Sequence, residues 1–415
     1  MAGAETTSAR DNRLNELLIS IQSRFEGLSP PSNCCIFTVP EKLRQTNKEA
    51  YPPSVVAIGP YHRLNPNLMQ MEDHKLLYLQ NFLQHNQNYC LKDYIQRVMS
   101  WEDDAWKCYD KQIDLDFNQF TKMILLDSIF MIQLFLMYSD PQRRLPSNWI
   151  FSRPWMFMDV RDNMILLENQ IPFFVIQRLF EMAFGTHWQH TPELLELVCC
   201  FFKPFMRMEM LPESVTESEV THFIHAISLT FLSSVRKAPN ESNEESKLTP
   251  SAMELVAAGV KLRRRESKCL FDIEFENGVL NIPCLTLEDT TESYFRNIMA
   301  SNSYLTDYMD FMHHLVDIPG DVELLINKGI IENWLSNKEA VARVINALAD
   351  YYFYSLSDKL IKHCQKPHNK WKATFKRDYC SSPWVVNSVI AAEVDFTDYS
   401  TDRVLSPLSC ITFAF

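Results

Sequence analysis

The chain has 415 residues, of which 46% are hydrophobic, and a formal net charge of −12. This is enough apolar material for a large buried core, while the acidic balance argues against general binding to nucleic acid, which depends on Lys and Arg neutralising phosphates. Only 8 of the 415 residues are glycine, whereas about 7% glycine is usual in an average protein. Gly-rich phosphate loops are therefore excluded, and long helices are favoured over multi-stranded sheets.

The 11 cysteines are odd in number and scattered, and most lie in apolar runs such as Val198–Phe202. Cysteine in such runs usually behaves as a small buried hydrophobe. We therefore predict reduced, structural thiols, as in a cytosolic or cytosol-facing chain.

Residues 1–32 form a predicted N-terminal arm. Met1–Arg13 is polar and no apolar stretch of a secretory signal follows it. A short amphipathic helix is predicted from apolar residues at helical spacing, namely Leu14, Leu17, Leu18, Ile21 and Phe25. This helix either docks on the body of the protein or lies on a membrane, and docking is the simpler expectation.

The next segment is predicted to be extended at first and then helical. Cys35–Pro40 reads as a short extended piece, and Val55–His62 as a β-like apolar run that a Gly-Pro turn stops. A helix is predicted over about Met71–Asn86. One of its faces is expected to carry Leu76, Leu79 and Phe82.

Met123–Tyr138 is apolar almost all round. The run is shorter than the ~20 residues of a membrane span and contains Asp127, Ser128 and Gln133, so it is predicted to be a buried core helix. A carboxylate there needs a hydrogen-bond partner, which favours Asp127 as a structural tie over a catalytic acid.

Met164–Phe180 resembles two apolar half-helices around the polar step Glu168-Asn169-Gln170. Pro172 either starts a new helix or kinks an existing one, because it lacks a backbone donor. The three polar side chains are expected to satisfy the backbone groups left free there.

A polar linker over 236–250 is predicted to join two halves of one helical domain. It contains a glycosylation pattern at Asn240, which is interpreted as accidental without a secretory signal. Beyond it, the pattern predicts a helix over Ala252–Leu262 and a β-hairpin at about 270–283. An Asn-Gly turn at Asn277 carries the hairpin prediction. Helices are then expected from about Thr291 to Tyr379, with a break near Pro319.

Several of these segments, taken in order, resemble blocks of the plant DUF247 family (the UPF0481 proteins). The resemblance covers about residues 35–392. The blocks are Phe37–Arg44, Ala50–Pro53, Ile58–His62, Met71–Lys75, Met164–Phe174, Ala257–Leu262, Asn277–Pro283, Thr291–Asn297 and Lys328–Trp334.

The resemblance implies a helix-rich plant protein without established catalysis. Members typically end in one hydrophobic helix and are thought to be membrane proteins, and some in grasses are associated with self-incompatibility. The family has no agreed catalytic residues, so no catalytic, cofactor-binding or metal residue is carried over to this chain.

The tail over 381–415 departs from that pattern. Its apolar run, Val385–Ala392, stops at Glu393 and is too short to span a membrane. We hypothesise that this is an alternative or truncated C-terminal end, produced by splicing or by a gene-model error. The basic stretch over 362–377 either attracts an anionic membrane surface or forms a solvated helix face.

The sequence evidence for a metal site is weak. His222 and His225 have a spacing suited to two ligands on one helix, but zinc needs three or four ligands. The set of His363, Cys364 and His368 arises easily by chance. His313 and His314 are adjacent and point in different directions.

The clusters of charged residues do not identify a functional site either. The acidic stretch comprises Glu102, Asp103, Asp104, Asp110, Asp114 and Asp116; it lacks the calcium-loop register and is expected to face solvent. Lys261–Arg265 is the densest basic cluster, and could contact phosphate, lipid or an acidic partner.

The sequence thus predicts a mainly α-helical domain over 33–380 with a small hairpin and short extended segments. The favoured hypothesis is a non-enzymatic, membrane-associated interaction or recognition protein with an unknown protein partner and no cofactor. It is either membrane-associated or, lacking a full span, cytosolic or peripheral. The alternative is an enzyme of unknown class whose site is assembled from residues distant in sequence.

Overall fold

The computed structural model describes residues 16–20, 22, 34–144, 148–185, 193–206, 219–232, 250–267, 269–300 and 303–348. Helices dominate, and the described strands are few and short, so the mainly α-helical prediction is confirmed. Asn240, most of the linker over 236–250, the basic stretch over 362–377, the cluster around His363 and the tail over 381–415 lie outside the described residues. The boundaries of the arm, domain and tail stay predictions.

The chain packs as two compact units. The described residues up to 202, with 219–227, form the first, and those of 203–206 and from 228 onward form the second. The helices are α1 (residues 16–20), α2 (Glu41–Thr46), α3 (Gln70–His85), α4 (Leu91–Trp106), α5 (Phe117–Ser139), α6 (Pro154–Met164), α7 (Phe173–Phe184), α8 (Leu194–Met206), α9 (Phe223–Leu232), α10 (Ala252–Ala257), α11 (Thr291–Met299), α12 (Ser303–Leu315), α13 (Pro319–Asn327) and α14 (Lys338–Leu348). The strands are β1 (Lys261–Arg265), β2 (Glu274–Glu276), β3 (Val279–Pro283), β4 (Leu285–Leu287) and β5 (Ile331–Asn333).

Helix α5 is the core of the first unit and packs against α3, α4 and α7. A capping box starts it, because the Asp116 carboxylate accepts from the Gln119 amide at 2.8 Å and the Gln119 side chain accepts from the Asp116 amide. Among the described helices, α5 is long and apolar enough to cross a membrane, but 94% of its most apolar window is buried inside the protein. The predicted core helix is therefore confirmed.

The helix predicted over Met71–Asn86 is α3, but its buried face differs from the expected one. Leu79 and Phe82 are buried, whereas Leu76 is exposed. The fully buried position next to Leu79 is taken by Lys75, because its ammonium group finds a buried partner on α5. In α1, Leu17, Leu18 and Ile19 are exposed, so docking is not observed for these three residues.

The β-like run at Val55–His62 forms no strand. It is extended, but its backbone amides bond to side chains rather than to another strand. The predicted half-helix before Glu168 is also absent: α6 ends at Met164, and turns follow it. Pro172 starts α7 rather than kinking a longer helix.

The hairpin predicted in the second unit is confirmed, with a shorter first strand. Strands β2 and β3 pair antiparallel, and both turn residues, Asn277 at φ 51° and Gly278 at φ 75°, are left-handed, as a type I′ turn requires. Sequence reasoning missed β1, which pairs parallel with β3. The helix predicted over Ala252–Leu262 therefore ends early at Ala257, after which Gly259 at φ 87° redirects the chain into the strand.

Four described helices follow β4, as predicted, but strand β5 interrupts the predicted helical stretch and pairs parallel with β4. The predicted remainder to Tyr379 lies outside the described residues. The expected break near Pro319 is present, but Pro319 begins α13 rather than ending a helix. Asp321 holds this start in place: its carboxylate accepts from the Ile318 amide at 3.0 Å and from the Met253 amide of α10 at 2.7 Å.

Candidate functional site

A buried polar network lies in the first unit, where four segments far apart in sequence meet. They are the extended run Val55–Arg63, the first turns of α3, the middle of α5, and the turns over 163–170. Because the middle of α5 is buried inside the protein, every polar group there needs a partner within the protein.

Lys75 and Asp127 form the centre of this network. The Lys75 ammonium lies 2.5 Å from Asp127 Oδ1, 2.8 Å from Glu72 Oε1 and 2.5 Å from the Ala57 carbonyl oxygen, which accepts from it. The other oxygen of Asp127 accepts from the Gly59 amide at 2.8 Å. The predicted structural tie at Asp127 is thus confirmed, and its partners are a lysine and a backbone amide.

Arg63 closes the network on its outer side. Its guanidinium pairs with Glu72 and lies 3.5 Å from Asp127 Oδ1. Both carboxylates therefore face two cations each, since Lys75 also contacts Glu72 and Asp127.

Gly59 passes so close to the turn at Gln170 that a side chain cannot fit. A Cβ atom at Gly59 would lie 2.2 Å from the Gln170 carbonyl oxygen, and the residue has φ +77°. Both the space and the backbone conformation require glycine. This contact joins the opening block of the chain to the polar step after α6.

The side chains of Asn163, Asn169 and Gln170 replace the missing strand partners. Asn169 accepts from the Ile58 amide at 2.7 Å and donates to the carbonyl oxygens of Val56 at 3.0 Å and Asn163 at 2.8 Å. Asn163 Oδ1 accepts from three consecutive backbone amides. These belong to Ser54, Val55 and Val56.

Gln170 binds backbone on both sides of Pro172. Its Nε2 donates to the carbonyl oxygens of Met164 and Leu166 at 2.8 and 2.9 Å, and its Oε1 accepts from the Phe223 amide at the start of α9. The prediction that these polar residues satisfy free backbone groups is confirmed.

Glu168 organises a second ion cluster. It accepts from the Val39 amide at 2.8 Å, pairs with Arg44, and lies 3.3 Å from His62 Nε2. Burial alone would raise the pKa of Glu168, but hydrogen bonds from His62, Arg44 and Val39 outweigh it and lower the pKa to about 2. Glu168 is therefore a carboxylate over the whole physiological pH range and not a proton donor.

Three carboxylates of this network face three cations. The carboxylates are Glu72, Asp127 and Glu168, and the cations are Arg44, Arg63 and Lys75. These pairs bring opposite charges together within the core, where each charge needs a partner. The arrangement serves to fix backbone segments.

The acidic stretch is solvent-facing apart from specific ties, as predicted for most of its residues. Asp103, Asp104 and Asp114 are exposed. Asp110 accepts from the Tyr61 hydroxyl at 2.6 Å and from the Thr38 amide at 3.1 Å. Burial and then the bond to Asp110 raise the pKa of the Tyr61 hydroxyl well above its usual range.

His222 and His225 lie at the start of α9 and are used locally. His222 Nδ1 accepts from the His225 amide at 3.3 Å, while His225 Nδ1 lies 3.0 Å from the Thr221 hydroxyl. Burial, followed by the proximity of His225, lowers the pKa of His222 to about 3. Among the residues that the structure describes, no group of three or more His, Cys, Asp or Glu side chains is placed to hold a metal ion.

His313 and His314 lie near the end of α12 with their ring centroids 5.4 Å apart. His313 Nδ1 is 2.9 Å from the Asn346 side chain, and His314 Nε2 is 3.7 Å from Asp310. Burial and then nearby Asp310 raise the pKa of Asp307 to about 6. A carboxyl group of this kind is the feature from which the enzyme hypothesis would have to start.

The basic cluster Lys261–Arg265 is strand β1. Arg265 pairs with Asp272 at 2.7 Å and also with Glu274, while Arg264 lies 3.2 Å from Glu266. These contacts tie the last two arginines to neighbouring carboxylates. Lys261 and Arg263 are exposed on the same strand, so the predicted contact with phosphate, lipid or an acidic partner stays a prediction.

Sequence reasoning missed Arg63, Lys75 and Asn163 as members of the network. Lys75 reads as one more polar residue of an amphipathic helix, although Met71, Tyr78 and Phe82 share its buried face. That pattern, a single lysine on an otherwise apolar face, together with an aspartate in an apolar run, is the signal that could have paired Lys75 with Asp127.

Comparison with known proteins identifies relatives without assigning an activity. A family model described as a plant protein of unknown function, DUF247, matches residues 36–396. A UPF0481 protein of Arabidopsis thaliana is 29% identical over 400 residues, covering 86% of this chain and 83% of that protein. A putative UPF0481 protein of the same plant is 29% identical over 146 residues, covering 35% and 27%. No solved structure matches the chain at a significant level.

Proposed function

Because the chain belongs to the DUF247 family of plant proteins of unknown function, we propose, from its own surface and core, that it is a non-enzymatic interaction protein whose first unit binds an amphipathic helix of a partner protein. The observation that carries the proposal is an exposed apolar face on α3, described below. The network of paired charges supports it, because it makes this unit a rigid support for a binding surface.

The binding face consists of apolar side chains that helical spacing brings to one side of α3. Met69, Leu76 and Leu77 occupy positions i, i+7 and i+8, which share a face. They are 54%, 44% and 53% exposed. Leu64, which precedes the helix, is 62% exposed. The opposite face of α3 holds Lys75 against the core, so the helix is anchored on one side and apolar on the other.

The charge of this face favours a protein over a membrane. Exposed positions of α3 beside the leucines include Asp73 and Gln80, and the helix's lysine is buried. Helices that lie on membranes usually carry Lys and Arg around their apolar face. Exposed apolar surface marks contact sites for proteins or membranes, and the absence of exposed Lys and Arg beside these leucines favours a protein.

A site-specific photo-crosslinker tests the proposal. The crosslinker is introduced at Leu77 and, as a matched control, at Met99, which is equally exposed at 54% but lies on α4. We expect a discrete protein adduct in the source tissue from position 77 and not from position 99. The purified partner should then bind the wild-type chain at least ~10-fold more tightly than the L76Q/L77Q variant, the loss expected when ~1.4 kcal/mol of contact energy is removed.

Four outcomes would contradict the proposal. Identical adducts from both positions would indicate non-specific contact, an adduct with lipid would indicate a membrane surface, and an adduct with a second copy of the chain would indicate self-association. Unchanged affinity of L76Q/L77Q for the crosslinked protein would also remove α3 as the binding face.

Membrane association enters the same proposal only through the basic stretch. Six basic side chains lie within residues 362–377, namely Lys362, Lys366, Lys370, Lys372, Lys376 and Arg377. Each would contribute about 1 kcal/mol near an anionic surface. Flotation with vesicles containing phosphatidylserine tests this: replacing the six by glutamine should abolish flotation, and binding that survives the replacement, or its absence in the wild type, would contradict it.

A further inference from the structure

Two cysteines of the first unit, distant in sequence, lie on adjacent backbone segments. The Cys35 and Ile36 amides both donate to the Cys108 carbonyl oxygen, at 2.9 and 2.8 Å, and the Asp110 amide donates to the Ile36 carbonyl at 3.1 Å. These bonds form a parallel bridge between Ile36 and Tyr109. Cys35 and Cys108 are therefore neighbours in register, one residue before the bridge on each segment.

This register suits a disulfide. Neighbouring strands lie about 4.8 Å apart, and disulfides join Cα atoms about 4.4–6.8 Å apart. The two thiols are close enough to shift each other's pKa, and in the reduced chain the Cys108 thiol donates to the Asp104 carbonyl oxygen at 3.3 Å. Little backbone movement is needed to bring the sulfur atoms into bonding distance.

We propose that Cys35 and Cys108 are a peroxide-responsive thiol pair, with Cys35 as the attacking group and Cys108 as the resolving group. The Cys35 thiolate attacks one oxygen of hydrogen peroxide, the O–O bond breaks, and a sulfenic acid and hydroxide form. The Cys108 sulfur then attacks the sulfenic sulfur, its proton joins the departing hydroxyl, and water leaves as the S–S bond forms. The two thiols lose two electrons in total, and these reduce one peroxide to two waters.

The two cysteines have environments suited to these roles. Cys35 is partly exposed and Cys108 is buried. The hydrogen bond from Cys108 lowers the pKa of the Cys35 thiol below its usual value, despite burial, and the side chain of Thr221 adds to the effect. The same contact, together with burial, raises the pKa of Cys108. Cys108 thus keeps the proton that the second step must release.

Adjacent Cys34 is the competing thiol. Burial and then nearby Asp110 raise the pKa of Cys34, which makes it a poorer nucleophile than Cys35. A disulfide between Cys35 and Cys108 would tie the segment that supplies the Val39 amide to Glu168 onto the end of α4. Oxidation would thereby lock the opening segment of the first unit in place.

The experiment uses the full chain, purified reduced, freed of reductant and treated with graded hydrogen peroxide. Remaining thiols are alkylated, and the digest is mapped by mass spectrometry without reduction. We expect a linked peptide containing Cys35 and Cys108 to form at a lower peroxide dose than oxidation of exposed Cys90, and to disappear with dithiothreitol. A Cys34–Cys35 or Cys34–Cys108 link instead, or Cys35 still free when Cys90 is oxidised, would overturn the proposal.

Variants separate the two roles. In C108S, a sulfenic acid at Cys35 should persist long enough to be trapped by dimedone, whereas in C35S neither the linked peptide nor a trapped Cys108 should form. C90S is the matched control and should behave as the wild type does. If the serine variants fail to fold, the wild-type peptide map decides, because it depends on no substitution. Trapping at Cys108 in C35S at the wild-type rate would reverse the assignment and overturn it.

Discussion

The ammonium group of Lys75 lies 2.5 Å from Asp127 Oδ1, and neither side chain is accessible to solvent. A buried pair of this kind contributes little net stability compared with an apolar pair, but it fixes which two helices face each other. It also holds the Gly59 amide and the Ala57 carbonyl, so it joins the extended run to α3 and α5 at one point.

Removing one partner of this pair should be costly. K75M leaves the Asp127 carboxylate buried with only Arg63 at 3.5 Å as a cation, and we expect the free energy of unfolding to fall by about 3–5 kcal/mol. K338M, which removes the exposed pair with Glu323, is the control and should change it by less than about 1 kcal/mol. Urea denaturation followed by circular dichroism measures both, and equal losses would disprove the central role of Lys75.

The individual residues of this network could be predicted from the sequence more readily than the contacts between them. Asp127 within an apolar run and the polar step at Glu168 both indicate groups that need partners, because burial of an unpaired charge or amide is costly. Which partners they meet depends on the tertiary path of the extended run, which has no periodicity. The pairing of Lys75 with Asp127 therefore became evident only in three dimensions.

In the second unit, the local sequence pattern itself was misleading, because it did not indicate strand β1. Lys261–Arg265 has four basic residues around one leucine, which resembles the end of a helix more than a strand. Its pairing with β3 is set by the hairpin that follows and by Asp272 and Glu274, which neutralise Arg265. Tertiary context here overrides propensity.

Gly59 should be intolerant of any side chain. In G59A the new Cβ would lie 2.2 Å from a backbone oxygen, in addition to the strain of φ +77°. Gly329 is the matched control, because it has φ +67° but its nearest neighbour is the flexible Arg264 side chain at 3.4 Å. We expect G329A to lose about 1–2 kcal/mol from backbone strain alone and G59A to lose more, as measured by urea midpoints. Equal losses would show that the segment at Gln170 can move aside.

Asn169 should contribute more to stability than an ordinary polar side chain. N169L leaves the Ile58 amide and the Val56 and Asn163 carbonyl oxygens without this partner, and an unsatisfied buried group costs about 1–3 kcal/mol. N169D keeps the acceptor for the Ile58 amide but places a buried charge against the Val56 and Asn163 carbonyl oxygens, so it should lose at least as much as N169L. Q177A, which removes the contact with Glu181 on α7, is the control. The yield of soluble protein and its thermal midpoint should be highest for Q177A and clearly lower for both N169L and N169D, and a midpoint of N169L equal to that of Q177A would refute the hydrogen-bond explanation.

Glu168 should make the protein acid-sensitive at low pH. Its pKa is lowered from 4.5 to about 2 in the folded chain, so the unfolded chain binds the proton first as pH falls. Its contribution is present in full above about pH 5 and is lost progressively toward pH 2, amounting to about 2 kcal/mol by pH 3 at 1.36 kcal/mol per unit. E168Q should be less stable at pH 7 but should show a smaller further loss between pH 5 and pH 3. A parallel pH profile for E168Q and wild type would contradict the assignment.

His222 should cause a separate loss of folding stability, in a higher pH range than that of Glu168. Burial and then His225 lower its pKa from 6.5 to about 3, so the folded state holds it neutral while the unfolded chain becomes protonated. Stability is therefore unaffected above about pH 7 and falls as pH drops below 6.5, by about 2 kcal/mol at pH 5. H222N keeps an acceptor for the His225 amide but cannot titrate, and it should flatten the profile between pH 6.5 and pH 5 while leaving the Glu168 transition at lower pH unchanged. Urea titrations at half-unit pH steps distinguish the two windows, and an unchanged slope in H222N would assign the upper window to another group such as His225.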